Sequence, residues 1–147
     1  MTEAIAGAQA EAIRKIPFFS GLSTEDAGKV LEVGQVVSFE PGQAIVERGD
    51  AGDAMYLVLT GSAQVDVGGR FHTLKAGDFF GEMALIAAKK RMATVKAVEK
   101  VDALKIPADA FQAFLGEHPS VAVAMLRALV DRLREVEERI EAWMGSG

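Results

Sequence analysis

Four residues between positions 81 and 94 combine types that could hold a small anion. Gly81 lets the backbone turn and approach a ligand closely. Glu82 opens a short helix expected over 82–87, and a helix N-terminus offers unpaired N–H groups and positive partial charge. Ala84 is small, so a ligand oxygen can come near the main chain. Arg91 follows the helix, and its planar fork suits bidentate capture of a phosphate. Glu82 repels a phosphate, yet its carboxylate accepts hydrogen bonds from hydroxyls. Acid and arginine together therefore read as a site for a sugar phosphate, one residue for each half. The plain alternatives are a surface arginine paired with Glu82, and an acid that merely favours a helix start. Lys89 and Lys90 read as a solvated loop rather than as ligand contacts.

Elements on both sides must position this stretch. A helix is expected over 2–16, where Ile5, Ala8, Ala12, Ile13 and Ile16 recur at helical spacing, broken by Pro17. Phe18 and Phe19 then offer aromatics to a core. Ser23 is the expected N-cap of a second helix to about Val33, with Glu25 and Asp26 in its first turn. From Gln35 the texture becomes that of strands. Val36, Val37, Phe39, Ile45 and Val46 flank the turn at Pro41 and Gly42, and residues 55–59 form a continuous apolar run. Ala63, Val65 and Val67 alternate with polar residues, and Gly68 with Gly69 marks a hairpin over 65–74. Val95, Ala97 and Val98, then Val101, Ala103, Leu104 and Ile106, give two more strands. Pro107 suits a first helical turn, Gly116 the end of that helix, and Pro119 the start of the longest helix, to about Met144. The chain thus reads as one domain: helical over 2–33, strand-rich over 35–106, helical again over 107–144. Many short strands broken by glycine indicate a mainly β barrel or jelly roll with flanking helices.

Gly81, Glu82, Ala84, Leu85 and Ile86, followed by Arg91, Ala93 and Thr94, resemble the phosphate-binding cassette of the cyclic nucleotide-binding domain family. Upstream, Glu47, Gly49 and Asp50, then Met55, Tyr56, Val58 and Gly61, resemble the turn and strands of that family. The resemblance runs from about Pro17 to Trp143. Either half of the cassette alone is a weak signal, but both halves at this spacing in a strand-rich chain are a strong one. The family includes the regulatory subunits of cyclic AMP-dependent protein kinase, cyclic nucleotide-gated channels and the catabolite activator protein. The resemblance implies an eight-stranded jelly-roll barrel and a cyclic nucleotide as regulatory ligand. It implies that Glu82 takes the ribose 2′-hydroxyl and Arg91 the cyclic phosphate. Backbone groups at Met83 and Ala84, with Ala93 and the Thr94 side chain, would complete the cradle. Two positions depart from the family's pattern. Lys90 stands where proline is frequent, and Met92 stands where many cyclic GMP-preferring members carry a threonine whose hydroxyl reaches guanine. Met92 cannot make that bond, so cyclic AMP is expected to be preferred, with cyclic GMP as the other candidate.

The bulk composition narrows the alternatives. The 147 residues, half of them hydrophobic and a quarter charged, fit one folded domain. There is no cysteine, which removes disulfides, zinc–thiolate sites, iron–sulfur clusters and thiol catalysis, and fits a cytoplasmic protein. The N-terminal residues lack the basic start and apolar run of a signal peptide, and no stretch reaches the ~20 apolar residues of a membrane helix. The net charge of −5 argues against a nucleic-acid surface. His72 and His118 stand apart from any metal-ligand cluster, and Asp50 and Asp53 beside glycines read as a turn rather than a calcium loop. No nucleophile–base pair points to an enzyme.

In the last helix, Leu126, Leu129, Leu133, Val136, Ile140 and Trp143 follow alternating steps of three and four, a heptad seam. Glu135 with Arg139 and Arg134 with Glu138 are i,i+4 pairs. By resemblance the helix either pairs with a second copy as a homodimer or swings over the pocket as a lid. Leu133, Val136 and Trp143 are the candidates to contact the base. The leading expectation is a sensor whose ligand shifts this helix and which acts through an effector protein or domain of unknown identity. The alternatives are a ligand-free dimerisation module of the same fold and a fragment of a larger channel or enzyme. A DNA-binding regulator is disfavoured, since such proteins need a helix-turn-helix after the long helix.

Overall fold

The computed structural model of the chain describes residues 3–87 and 89–145, and the side chains from Gln9 onward within that range except Phe18. Helix α1 (Glu3–Arg14) buries Ala12 and Ile13, with Ile16 just beyond its end. Ile5, Ala8 and Phe18, expected at the same core, lie outside the described side chains. The helix stops short of position 16 because proline drives its preceding residue out of the helical region, and Ile16 has φ −70° and ψ 127°. A 3-10 turn, Pro17–Phe19, then drops Phe19 edge-on against Phe111 with ring centroids 5.6 Å apart. Ser23 caps α2 (Thr24–Val33): its Oγ accepts from the Asp26 N–H at 3.1 Å, as its position before Glu25 and Asp26 predicts.

Eight strands follow: β1 (Gln35–Phe39), β2 (Ala44–Val46), β3 (Ala54–Thr60), β4 (Ser62–Val67), β5 (Arg70–Lys75), β6 (Phe79–Phe80), β7 (Thr94–Ala97) and β8 (Val101–Pro107). They form two antiparallel four-stranded sheets, ordered β1-β8-β3-β6 and β2-β7-β4-β5. This is an eight-stranded jelly-roll barrel with flanking helices. The β4–β5 hairpin extends beyond the expected 65–74, with Ser62 opposite Lys75 and Val67 opposite Arg70 across the Gly68, Gly69 turn. Val98 is not a strand residue; it is exposed past the end of β7, where its N–H donates to Ser62 O at 2.9 Å.

Strand β3 is apolar throughout because both of its faces are covered. Met55 and Leu57 point into a cluster with the helices, beside Leu85, Leu104 and Phe111. Ala54, Tyr56 and Val58 point into the barrel, beside Val95, Ala97 and Ala103. Strand β8 divides in the same way, Leu104 and Ile106 to the helices and Val101 and Ala103 to the barrel. At the surface, Ser38 on β1 and Thr60 on β3 clasp Asp102 on β8, donating at 2.6 and 3.2 Å.

Two helices close the chain, α3 (Ala108–Glu117) and α4 (Pro119–Gly145). Pro107 is the N-cap of α3 rather than its first helical residue. Gly116 does not end α3 but lies inside it. The helix is closed by His118, whose N–H donates to Phe114 O and Leu115 O, so no left-handed glycine is required. The imidazole of His118 stacks on Phe114 at 4.4 Å and donates from Nδ1 to Phe114 O at 3.1 Å, a structural role. The axes of α3 and α4 are bent by 109° at this break. Only Val121 and Met125 of α4 are buried. Among the described residues, no single helix is long and apolar enough to cross a membrane.

Candidate functional site

The loop between β6 and β7 carries the cassette. Pairing of β6 with Tyr56 and Leu57 of β3 brings the chain to Gly81, which adopts φ +78° and ψ 17°. The helix expected over 82–87 is shorter and tighter, a single 3-10 turn, Glu82–Leu85. The four residues complete one turn, the usual limit for 3-10 geometry, and Leu85 at its end is fully buried in the helix-side core. The Ala84 N–H donates to Gly81 O at 3.0 Å, which leaves the N–H groups of Glu82 and Met83 as the open ends of the turn.

Arg91 is held by its main chain and by its side chain. Its N–H donates to Asp50 O at 2.7 Å and its carbonyl accepts from Gly49 N at 2.9 Å. Asp50 in turn accepts from the Glu47 N–H through Oδ2 at 3.1 Å, so the turn expected there is real and works as a splint for the arginine. Gly52 continues the splint by donating to Lys89 O at 2.8 Å, and a Cβ at Gly52 would collide with that same carbonyl. Thr94 Oγ1 accepts from the Arg48 N–H at 3.0 Å and so holds the splint rather than reaching into the cavity.

The guanidinium lies 6.0 Å from the Tyr56 ring centroid, and its Nη2 donates to the buried Ala54 carbonyl. Tyr56 is itself stacked on Phe80 at 5.0 Å and packed edge-on against Phe39. A Cβ at position 81 would meet Arg91 Nη1 and sit 2.9 Å from Ala54 O. Gly81 is thus required twice, for its positive φ and for the room it leaves the arginine. The Arg91 Nε is buried and makes no hydrogen bond among the described residues. Among the described ion pairs none joins Arg91 to Glu82, so the surface-pair alternative is not what the fold makes.

Beside these groups lies a cavity of about 420 Å³. Gly81, Met83, Ala84, Arg91, Met92 and Ala93 line it, together with Lys89 and Lys90, which the sequence placed in a solvated loop. Its floor was missed by sequence reasoning: Val46, Val65 and Val95 form one row across β2, β7 and β4, joined by the registers Val46 with Val95 and Val65 with Val95. The alternation of β4 marks Val65 as inward, but nothing in the sequence aligns three strands. Glu82 and Thr94 are next to the cavity in sequence but do not line it. Leu133, Val136 and Trp143 do not line it either; they are exposed on α4, which leaves the core on the side of the Pro17–Phe19 turn. The volume is that of a small-molecule site. An apolar floor, an anchored cation with a free buried donor, and left-handed Gly81 fit a ligand with a flat apolar part and an anionic part. Among the described residues, no group of three or more His, Cys, Asp or Glu could hold a metal ion.

Comparison with known proteins agrees with this geometry. Residues 36–118 match the cyclic nucleotide-binding domain. The chain is 38% identical over 107 residues to a cAMP-dependent protein kinase regulatory subunit of Yarrowia lipolytica, covering 71% of this chain and 28% of that protein. It is 35% identical over 120 residues to a cGMP-dependent protein kinase of Toxoplasma gondii, covering 80% of this chain and 12% of that protein. The chain therefore spans less than a third of either relative. The crystal structure of the N-terminal domain of a transcriptional regulator from Streptomyces coelicolor superposes with a TM-score of 0.76 at 28% identity, covering 86% of this chain and 95% of that one. The match over more than half of the chain, on a barrel that presents the cassette, makes this chain a member of the cyclic nucleotide-binding domain family, a binding and regulatory domain.

Proposed function

We propose that the cavity beside Gly81 and Arg91 binds a cyclic nucleotide, with cyclic AMP preferred over cyclic GMP. The observation that carries this reading is the Arg91 guanidinium, fixed on Ala54 O and Tyr56 with a buried Nε left unbonded among the described residues. Arg91 holds the cyclic phosphate, with the N–H groups of Glu82 and Met83 and the close approach at Ala84 and Ala93 completing the cradle. The Glu82 carboxylate, beside the cavity rather than in its lining, is assigned the ribose 2′-hydroxyl on the family resemblance, and the row of valines supports the base. Met92, 82% exposed at the rim, offers guanine no hydrogen bond and so gives cyclic GMP no advantage. The chain acts as a sensor rather than an enzyme. Ligand capture shifts α4, which passes the signal to an effector protein or domain, and a ligand does this only by binding one arrangement more tightly than the other. We place the module in the cytoplasm as part of the same reading.

The deciding experiment is calorimetry of cyclic AMP and cyclic GMP against protein stripped of ligand by unfolding and refolding. Tighter binding of cyclic AMP, lost in Arg91→Ala, is the expected result. No heat with either nucleotide from folded protein overturns the reading. A homodimer through α4 is a second reading, favoured by the exposure of Leu126, Leu133 and Ile140 along one seam. Sedimentation equilibrium distinguishes it, since a monomer at all concentrations excludes it.

A further inference from the structure

One contact joins the cassette to the C-terminal helices by a polar bond. The Gln112 side chain on α3 donates from Nε2 to the carbonyl oxygen of Leu85, 3.1 Å away. Leu85 is the last residue of the 3-10 turn that begins beside Gly81, and carbonyls at the end of a turn have no partner within it. The residue just before it in α3, Phe111, is fully buried in the same cluster as Leu85. The Leu85 side chain is therefore gripped by the apolar core, and its carbonyl by Gln112. Helix α3 runs directly into α4 through His118, so whatever moves the turn also pulls on the base of the long helix.

From this geometry we infer that Gln112 is a positioning residue that couples the nucleotide cavity to α4. The inference rests on the proposed function of that cavity and names a part of its regulation. Gln112 does not line the cavity. It fixes the far end of the turn whose near end carries the open N–H groups of Glu82 and Met83, and so pre-sets them for the anion. It also makes a shift of the turn a shift of α3. An apolar contact alone slides easily, whereas a directional hydrogen bond fixes the relative register of the two elements.

The test uses Gln112→Leu, which keeps size and removes the donor, and Gln112→Glu, which keeps shape and puts a carboxylate against the carbonyl. Gln112 is exposed, so both variants are expected to fold, and circular dichroism verifies this. The chain lacks cysteine, so Gln64→Cys on β4 and Glu137→Cys on α4 give a unique labelled pair. Cyclic AMP affinity is read by calorimetry, and the change in label distance on ligand addition by spin–spin measurement. The expected result is a three- to tenfold loss of affinity, on the scale of about one hydrogen bond, together with a ligand-induced distance change that shrinks or vanishes. Affinity and distance change both equal to those of the unmodified protein overturn the inference. Loss of affinity with the distance change intact also overturns it, since Gln112 then only supports the turn. If the unmodified protein binds no cyclic nucleotide, the proposed function fails first, an outcome visible before either variant is made.

Discussion

The cassette and the outer part of α4 both look like mixed polar and apolar surface in the sequence, yet the fold treats them in opposite ways. Arg91 is held at its N–H, its carbonyl and its guanidinium, by Asp50, Gly49 and Ala54, over a stacked aromatic pair. Beyond Met125, α4 keeps its apolar seam in solvent, with Leu126 61%, Leu133 62% and Ile140 52% exposed. A group that must meet an anion in one geometry gains from being fixed in advance, because no ordering cost then falls on binding. An element that moves or docks must keep its apolar face available instead. On the proposed reading, the contrast teaches that the cavity is pre-ordered by the chain itself, whereas the exposed seam of α4 is left for whatever covers it.

The sharpest way to break this contrast is Arg91→Ala. Cyclic AMP affinity is expected to fall about a hundredfold, the scale of losing charge-assisted hydrogen bonds to a phosphate. Isothermal titration of wild type and variant side by side measures it; an unchanged constant would mean that the anchored arginine serves the barrel and not the ligand. Next in size is Gly81→Ala. A left-handed alanine with its Cβ against Arg91 Nη1 costs about 1–3 kcal/mol of stability and displaces the guanidinium, with about a tenfold loss of affinity. Thermal unfolding together with titration checks both, and a variant as stable as the parent would show that the loop relaxes freely.

A smaller effect is expected on the other side of the comparison. Leu133→Glu should change the unfolding free energy of the monomer by less than about 0.5 kcal/mol, because the side chain is exposed. Urea denaturation at low protein concentration reads this directly. A larger loss would place the seam in contact with its own chain. The smallest effect lies away from both regions. The hydrogen bond from Ser38 holds the Asp102 carboxyl below its usual value of 3.8, opposed by desolvation and helped by Thr60 and Lys100. A pKa depressed by folding stabilises above the unfolded value, and that contribution is lost as pH falls through the folded one. Ser38→Ala should therefore raise the Asp102 pKa toward 3.8 and soften the acid-side loss of stability. Carboxyl-carbon NMR titration of the two proteins shows the shift, and an unmoved Asp102 would assign the depression to Thr60 and Lys100.

Much of the molecule was legible in the residues. The N-cap at Ser23, the turn at Gly68 and Gly69, and the strand texture from Gln35 to Ile106 are local, so the chain itself states them. The cassette was legible because Gly81, Glu82, Ala84, Arg91, Ala93 and Thr94 together resemble a family pattern at its spacing. Errors fell where a local signal lost to its surroundings. Gly116 signals a helix end, but the His118 backbone and ring satisfy the last carbonyls without it. The cassette helix reads as six residues, but the segment winds as a 3-10 turn, a geometry that runs only three or four residues, and it ends at Leu85.

The sequence by itself determined the barrel and its flanking helices, which follow from periodicity and turn chemistry, and through the cassette resemblance it picked out Gly81, Met83, Ala84, Arg91, Met92 and Ala93, which the fold gathers at one cavity. The tertiary structure alone decided that the Glu47 turn splints Arg91, that Val46, Val65 and Val95 make one floor, and that Gln112 reaches Leu85. These contacts join residues 27 to 49 positions apart or lie across three strands, and no local pattern encodes which distant groups a closed barrel will bring together.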